Sequence, residues 1–113
     1  MLPKTNRLTK KKDFDSVFKK GKSIKVDFLI FKILKNDLKE SRFGFVVSKT
    51  ISKKAVIRNK VKRRLREAVF KGLKNQVTNT AKPSDIVIIT LPGIEKREFL
   101  QLQEVVDKFL NKI

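Results

Sequence analysis

The chain has 113 residues, with 29 Lys or Arg against 11 Asp or Glu and a formal net charge of +18. It contains no cysteine and no histidine, which excludes a disulfide framework, a thiolate metal site and imidazole acid–base catalysis. A hydrophobic fraction of 40% is too high for a disordered basic tail. A folded domain this charged repels itself unless an anionic partner screens it.

Met1 to Leu8 read as a short basic leader without the apolar run of a secretory signal. No stretch approaches the roughly 18 consecutive apolar residues of a membrane span. The expectation is one soluble, cytoplasmic domain over residues 1–113. Thr9 is a candidate N-cap for a helix over Lys10–Lys20, on which Phe14, Val17 and Phe18 share one face. Gly21 follows, where a left-handed helix-terminating residue is wanted. Ile24 to Leu34 is rich in β-branched and aromatic residues, and Asp27 divides it into a short strand and a longer one. Phe28 and Ile30 are expected on one face; Leu29, Phe31 and Ile33 on the other. Both faces are apolar, so either both are covered or one offers aromatics to a ligand. Asn36 to Glu40 is a polar turn. Phe43 to Ser48 is the next strand, with Gly44 permitting a bulge or a close approach.

The basic helix starts near Val56. At about 100° per residue, Ile57, Val61, Leu65, Ala68 and Val69 fall within one arc. Asn59, Lys60, Lys62, Arg63, Arg64 and Arg66 occupy the complementary arc, with Arg58 at the border. Between Lys53 and Arg66, eight of fourteen positions are Lys or Arg and none is acidic. A solvated helix face usually mixes signs so that carboxylates pair with cations; this one is built to meet a polyanion. Arg offers planar bidentate donors to phosphates, and Asn59 can donate to and accept from a base edge or 2′-hydroxyl. Arg58 and Asn59 sit in the first turn, where free N–H groups and the helix dipole favour anions.

Gly72 marks the expected end of the periodic part. Ile86 to Leu91, after a Pro-Ser-Asp turn, is a continuous apolar run and reads as a buried strand. The last helix is expected over Glu95–Asn111. The order is α-β-β-β-α-β-α. The charge is uneven: residues 1–66 hold 22 basic and 5 acidic residues, residues 67–113 only 7 and 6. The polyanion-facing work is therefore encoded in the first three-fifths. Phe14 and Phe18, flanked by Lys10, Lys11, Lys12, Lys19, Lys20 and Lys22, read either as core or as a stacking shelf for unpaired bases. Asp13 and Asp15 point apart on a helix and suit its dipole rather than a metal. No nucleophile–base pair, Gly-rich phosphate loop or metal-ligand spacing is present; Ser48-Lys49 is a lone dipeptide.

The run Ala55-Val56-x-Arg58-Asn59-x-x-Lys62-Arg63-x-x-Arg66-Glu67 resembles the RNR motif of the bacterial ribonuclease P protein subunit. Asn6-Arg7-Leu8, with Asp13-Phe14-x-x-Val17-Phe18-x-x-Gly21, is similar to that family's opening helix. Phe43-Gly44-Phe45-Val46-Val47-Ser48-Lys49 is similar to its strand before the basic helix. The resemblance implies an α+β sandwich like the second domain of ribosomal protein S5, with a left-handed β-α-β crossover. It implies the protein component of a ribonucleoprotein endonuclease that removes the 5′ leader from precursor tRNA. In that arrangement the RNA subunit carries the chemistry with Mg²⁺, and the protein alone is inactive. The partners implied are ribonuclease P RNA and precursor tRNA, with no membrane and no required protein partner.

By the same resemblance, Arg58, Asn59, Lys60, Lys62, Arg63, Arg64 and Arg66 meet the catalytic RNA. Phe14, Phe18, Phe31, Ser48 and Lys49 line a leader cleft between the first helix and the sheet. Arg7, Lys10, Lys11, Lys12, Lys53 and Lys54 add basic contacts. Two departures stand out: Phe31 occupies a position where the family has Tyr, and the Thr50–Lys54 loop lacks the usual glycine and is a residue longer. Competing readings are a ribosomal protein or general RNA chaperone, and a DNA-binding regulator. The last lacks helix-turn-helix spacing.

Overall fold

The computed structural model describes residues 4–47, 53–75 and 83–112. After a 3-10 turn over Lys4–Asn6 come α1 (Lys11–Lys20), β1 (Lys22–Val26), β2 (Leu29–Lys35) and β3 (Arg42–Val46). Then follow α2 (Ala55–Asn75), β4 (Ser84–Thr90), a 3-10 turn over Ile94–Lys96 and α3 (Phe99–Lys112). This is the α-β-β-β-α-β-α order read from the sequence. Among the described residues no helix is long and apolar enough to cross a membrane.

The strands form one sheet in the order β1-β2-β4-β3. The two-residue turn Asp27-Phe28 joins β1 to β2, with Asp27 in the left-handed region at φ 51°. β4 inserts between β2 and β3, antiparallel to the first and parallel to the second. Its apolar run explains that central place: a strand covered on both faces needs no polar alternation, and Ile86, Val87 and Ile88 are fully buried. α2 and α3 cover one face of the sheet. There Phe31, Phe43, Ile86 and Ile88 pack with Leu65, Val69, Leu102, Val106 and Phe109. α1 lies on the opposite face, where Leu8, Val17 and Val87 form a smaller cluster with Phe14, Leu34, Val46 and Ile89 around it.

Three local expectations are corrected. Lys10, not Thr9, is the N-cap of α1, and its side chain makes no capping bond. Gly21 is extended, at φ −74° and ψ 157°. Glycine is needed there because a Cβ would lie 2.5 Å from the Val17 carbonyl oxygen and 3.0 Å from that of Ile33. Gly72 does not end α2, which continues to Asn75; it lies inside the helix against α3, and a Cβ would meet Leu110 Cδ1 at 2.6 Å.

The last helix also starts later than its periodicity implied. Ile94–Lys96 forms a separate turn, and Gln101 Oε1 accepts the Glu98 backbone N–H at 3.0 Å. That is half of a capping box, and it fixes the start of α3.

Candidate nucleic-acid interface

α2 sorts its residues by radial position. Val61, Leu65, Ala68 and Val69 are buried in the core, each large apolar side chain contributing about 1.5–3 kcal/mol. Asn59, Lys60, Arg63 and Arg66 are exposed; Arg58, Lys62 and Arg64 are half-buried. The cationic arc therefore faces outward, as its spacing predicts, and it divides into flanks. Asn59, Lys62, Arg63 and Arg66, with the exposed Val56, line one concavity of about 360 Å³. Lys60 and Arg64, a turn apart, project on the flank beyond it. Lys54 heads the helix: its carbonyl accepts the backbone N–H groups of Ile57 and Arg58, each at 3.2 Å. Lys53 and Lys54 are both exposed, which extends the cationic edge past the N-terminus.

Lys62 and Arg66 face a second groove, of about 240 Å³, whose other walls are Arg7, Leu8, Thr9, Phe14, Phe43 and Phe45. The basic leader is thus tied to the sheet. Arg7 bridges to Phe43, the Leu8 N–H donates to the Phe43 carbonyl at 2.8 Å, and Asn6 Nδ2 donates to the Ser41 carbonyl at 2.8 Å. Arg7 is therefore a groove residue held in place. Lys10, Lys11 and Lys12 are exposed at the start of α1.

The α1 side of the sheet carries a further surface. Cross-strand register places Lys25, Ile30, Ile89 and Val46 in one row across all four strands. The next row is Ser23, Lys32, Val87 and Gly44. α1 crosses the second row, leaving Val87 and Gly44 buried. Of the first row, Lys25 is exposed and Ile30, Ile89 and Val46 are only half-buried. The result is a strip with an apolar floor beside the helix. Phe14 and Phe18 stand one helical turn apart at its border. Phe14 lies on Gly44, where a Cβ would meet ring carbons at 2.5 and 2.6 Å; Gly44 thus serves a close approach. Phe18 is 40% exposed, with Lys32 Nζ 5.3 Å from its ring centroid. Flat apolar rings beside lysines are what stacking an unpaired base requires.

Phe31 does not belong to this surface. It is fully buried on the other face of the sheet and stacks on Phe109. Strand alternation puts Lys32, not Phe31, beneath α1. Ser48 and Lys49 lie outside the described residues. The floor residues Ile30, Ile89 and Val46 were not singled out from the sequence. The available signal was that both faces of β2 are apolar while only one short helix is present to cover one of them.

Arg42 is a half-buried cation tied to carboxylates. Its Nε donates to Asp85 Oδ1 at 2.8 Å, its Nη2 to Asp85 Oδ2 at 2.7 Å, and its Nη1 to Asp13 Oδ2 at 3.3 Å. The hydrogen bonds to Asp85 hold its pKa above the ordinary arginine value. No group of three or more His, Cys, Asp or Glu among the described residues can hold a metal ion.

A four-stranded sheet with a cationic helix on one side and an aromatic-edged strip on the other defines an α+β RNA-binding domain. The family model Ribonuclease P matches residues 2–113, and the chain belongs to that family. It is 42% identical to the ribonuclease P protein component of a Synechocystis strain, over 88% of this chain and 81% of that protein. It is 37% identical to the one from Legionella pneumophila, over 97% and 90%. The RNase P protein of Thermotoga maritima superposes with a TM-score of 0.81 at 31% identity, covering 95% of this chain and 96% of that one. That of Staphylococcus aureus gives 0.79 at 30%, covering 95% and 94%. The chain is thus a protein of tRNA processing.

Proposed function

We propose that this chain is the protein subunit of a ribonuclease P holoenzyme and holds two RNAs on two surfaces. The α2 ridge, with Arg58, Asn59, Lys60, Lys62, Arg63, Arg64 and Arg66, binds the catalytic RNA. The strip bordered by Phe14 and Phe18 binds the single-stranded 5′ leader of precursor tRNA. Arg7 and Lys10 to Lys12 extend the electrostatic field between them. The RNA subunit performs the phosphodiester hydrolysis with Mg²⁺. On this reading the contribution of the protein is binding and orientation. The site of action is the cytoplasm.

The observation that carries this reading is the separation of the two surfaces in a chain of this family. A ridge of cations suits the phosphates of a folded RNA, whose binding is driven by counterion release. An apolar floor edged by rings suits unstacked bases. The test is reconstitution with a bacterial ribonuclease P RNA and precursor tRNA at low Mg²⁺. Addition of the protein should increase 5′-leader cleavage, and the protein alone should cleave nothing. Absence of any gain would overturn the proposal. A ribosomal protein or general RNA chaperone would not confer a gain limited to leader-bearing substrate.

A further inference from the structure

The two surfaces share one mechanical element, α1, and the way it is held has a consequence for the leader strip. Val17 is the only buried residue of α1. The side chain of its N-cap residue, Lys10, makes no capping hydrogen bond. The helix carries Lys11, Lys12, Lys19 and Lys20 against Asp13 and Asp15, so its cationic surplus adds to the self-repulsion of a chain of net charge +18. Against this stand the packing of Val17 with Leu8 and Val87 and two adjacent contacts nearer the N-terminus of the helix. Asp13 receives Arg42 Nη1 at 3.3 Å, and the next residue, Phe14, lays its ring on Gly44. The dipeptide Asp13-Phe14 is therefore registered on the β3 segment Arg42–Gly44.

Arg42 does not swing freely to make that contact. Its other two bonds are a fork onto Asp85, which is 6% exposed. Asp85 Oδ1 also accepts Asn36 Nδ2 at 2.8 Å. The guanidinium plane is thereby fixed by β4 and by the β2–β3 connection. Its remaining edge presents a donor at one height above the sheet. A planar fork holds its donors in a fixed geometry that a lysine ammonium lacks.

We infer that Arg42, anchored on Asp85, is a positioning residue that sets α1 through Asp13 and so fixes Phe14 and Phe18 at the border of the leader strip. It touches no substrate. Its effect is on selectivity for leader-bearing RNA, and the inference rests on the strip being the leader site. The Asp13 arm carries the effect; the Asp85 arm is the anchor.

The experiment uses the reconstituted holoenzyme and compares dissociation constants for leader-bearing precursor and mature tRNA, together with protein affinity for the catalytic RNA. Asp13→Asn keeps the side chain's shape and removes its charge. The preference for leader-bearing substrate should fall by about 1.5- to fivefold, the range of one partly exposed ion pair. Affinity for the catalytic RNA should stay unchanged. Asp13→Glu, which keeps the carboxylate, should recover part of the preference. Should Asp13→Asn fail to fold, Arg42→Lys provides the same comparison, keeping the charge while losing the fork.

An unchanged preference in Asp13→Asn, with a clear preference in the parent, would overturn the positioning role alone. Equal weakening for precursor, mature tRNA and catalytic RNA would overturn it as well, returning the contact to general stability. A parent holoenzyme without any leader preference would overturn the leader strip, and the positioning role with it.

Discussion

The ring of Phe31 lies flat against that of Phe109, with centroids 3.9 Å apart and planes 5° from parallel. Both are fully buried, so the stack joins the middle of β2 to the last turns of α3 beneath the sheet. Phe31→Ala should open a cavity and cost about 3–5 kcal/mol, a large share of the roughly 5–15 kcal/mol typical of a domain. Urea unfolding measures this directly. Phe31→Leu, a smaller change of volume, should bind leader-bearing RNA as the parent does. Loss of leader binding in a stably folded Phe31→Leu protein would return Phe31 to the cleft.

Phe18 has the opposite profile. The residue is 40% exposed, and the Lys32 ammonium lies 5.3 Å from its ring centroid. Truncation to alanine should change stability by about 1 kcal/mol or less, as for a surface substitution. Leader-bearing substrate should lose about 1–3 kcal/mol of binding if a base stacks there, while mature tRNA binds as before. Equilibrium titration with both RNAs separates the outcomes. Equal losses for the two would make Phe18 a fold residue.

Ile30 tests the apolar floor. It pairs with Ile89 in the open row and is half-buried, so a polar replacement can reach water. Ile30→Glu should leave a cooperative unfolding transition while placing an anion under the leader phosphates. Precursor binding should weaken and catalytic-RNA binding should hold. The same change at Val87, which is fully buried beneath α1, should prevent folding, because an unpaired carboxylate there has no route to solvent. If Ile30→Glu binds precursor at parental affinity, the strip is not the leader path.

Element order was legible because each segment carries its own period: 3.6 for the stripe of α2, a continuous apolar run for β4. The outward arc of α2 was legible for the same reason. What escaped were relations between distant segments. That Phe31 faces the core and Lys32 faces α1 depends on which side of the sheet the helices occupy, and both faces of β2 are apolar. Gly21 and Gly72 were read as helix ends because local patterns put glycine there. Gly21 does end α1, but in an extended conformation, and glycine is needed there because the carbonyls of Val17 and Ile33 approach closely; Gly72 lies inside α2, where the close neighbour is Leu110. Arg42 looked like one more cation in a basic half. Its partner Asp85 lies 43 residues away, beyond any local pattern.

The α2 ridge gives the most quantitative expectation. If Lys62, Arg63 and Arg66 each neutralise a phosphate of the catalytic RNA, removing one releases about one fewer counterion, and the slope of log K against log salt should shrink by about 0.7–0.9 per side chain. Arg63 is exposed and Lys62 half-buried at the groove. Arg63→Ala should therefore change the slope at no cost in stability. Lys62→Ala should change it and also lose some packing of its stem. Val69→Ala, on the buried side of the same helix, is the control. It should destabilise the fold by about 2 kcal/mol and leave the slope as it was. Binding titrations from low to physiological salt decide the matter, and slopes unchanged in Arg63→Ala and Arg66→Ala alike would remove the ridge from the RNA contact.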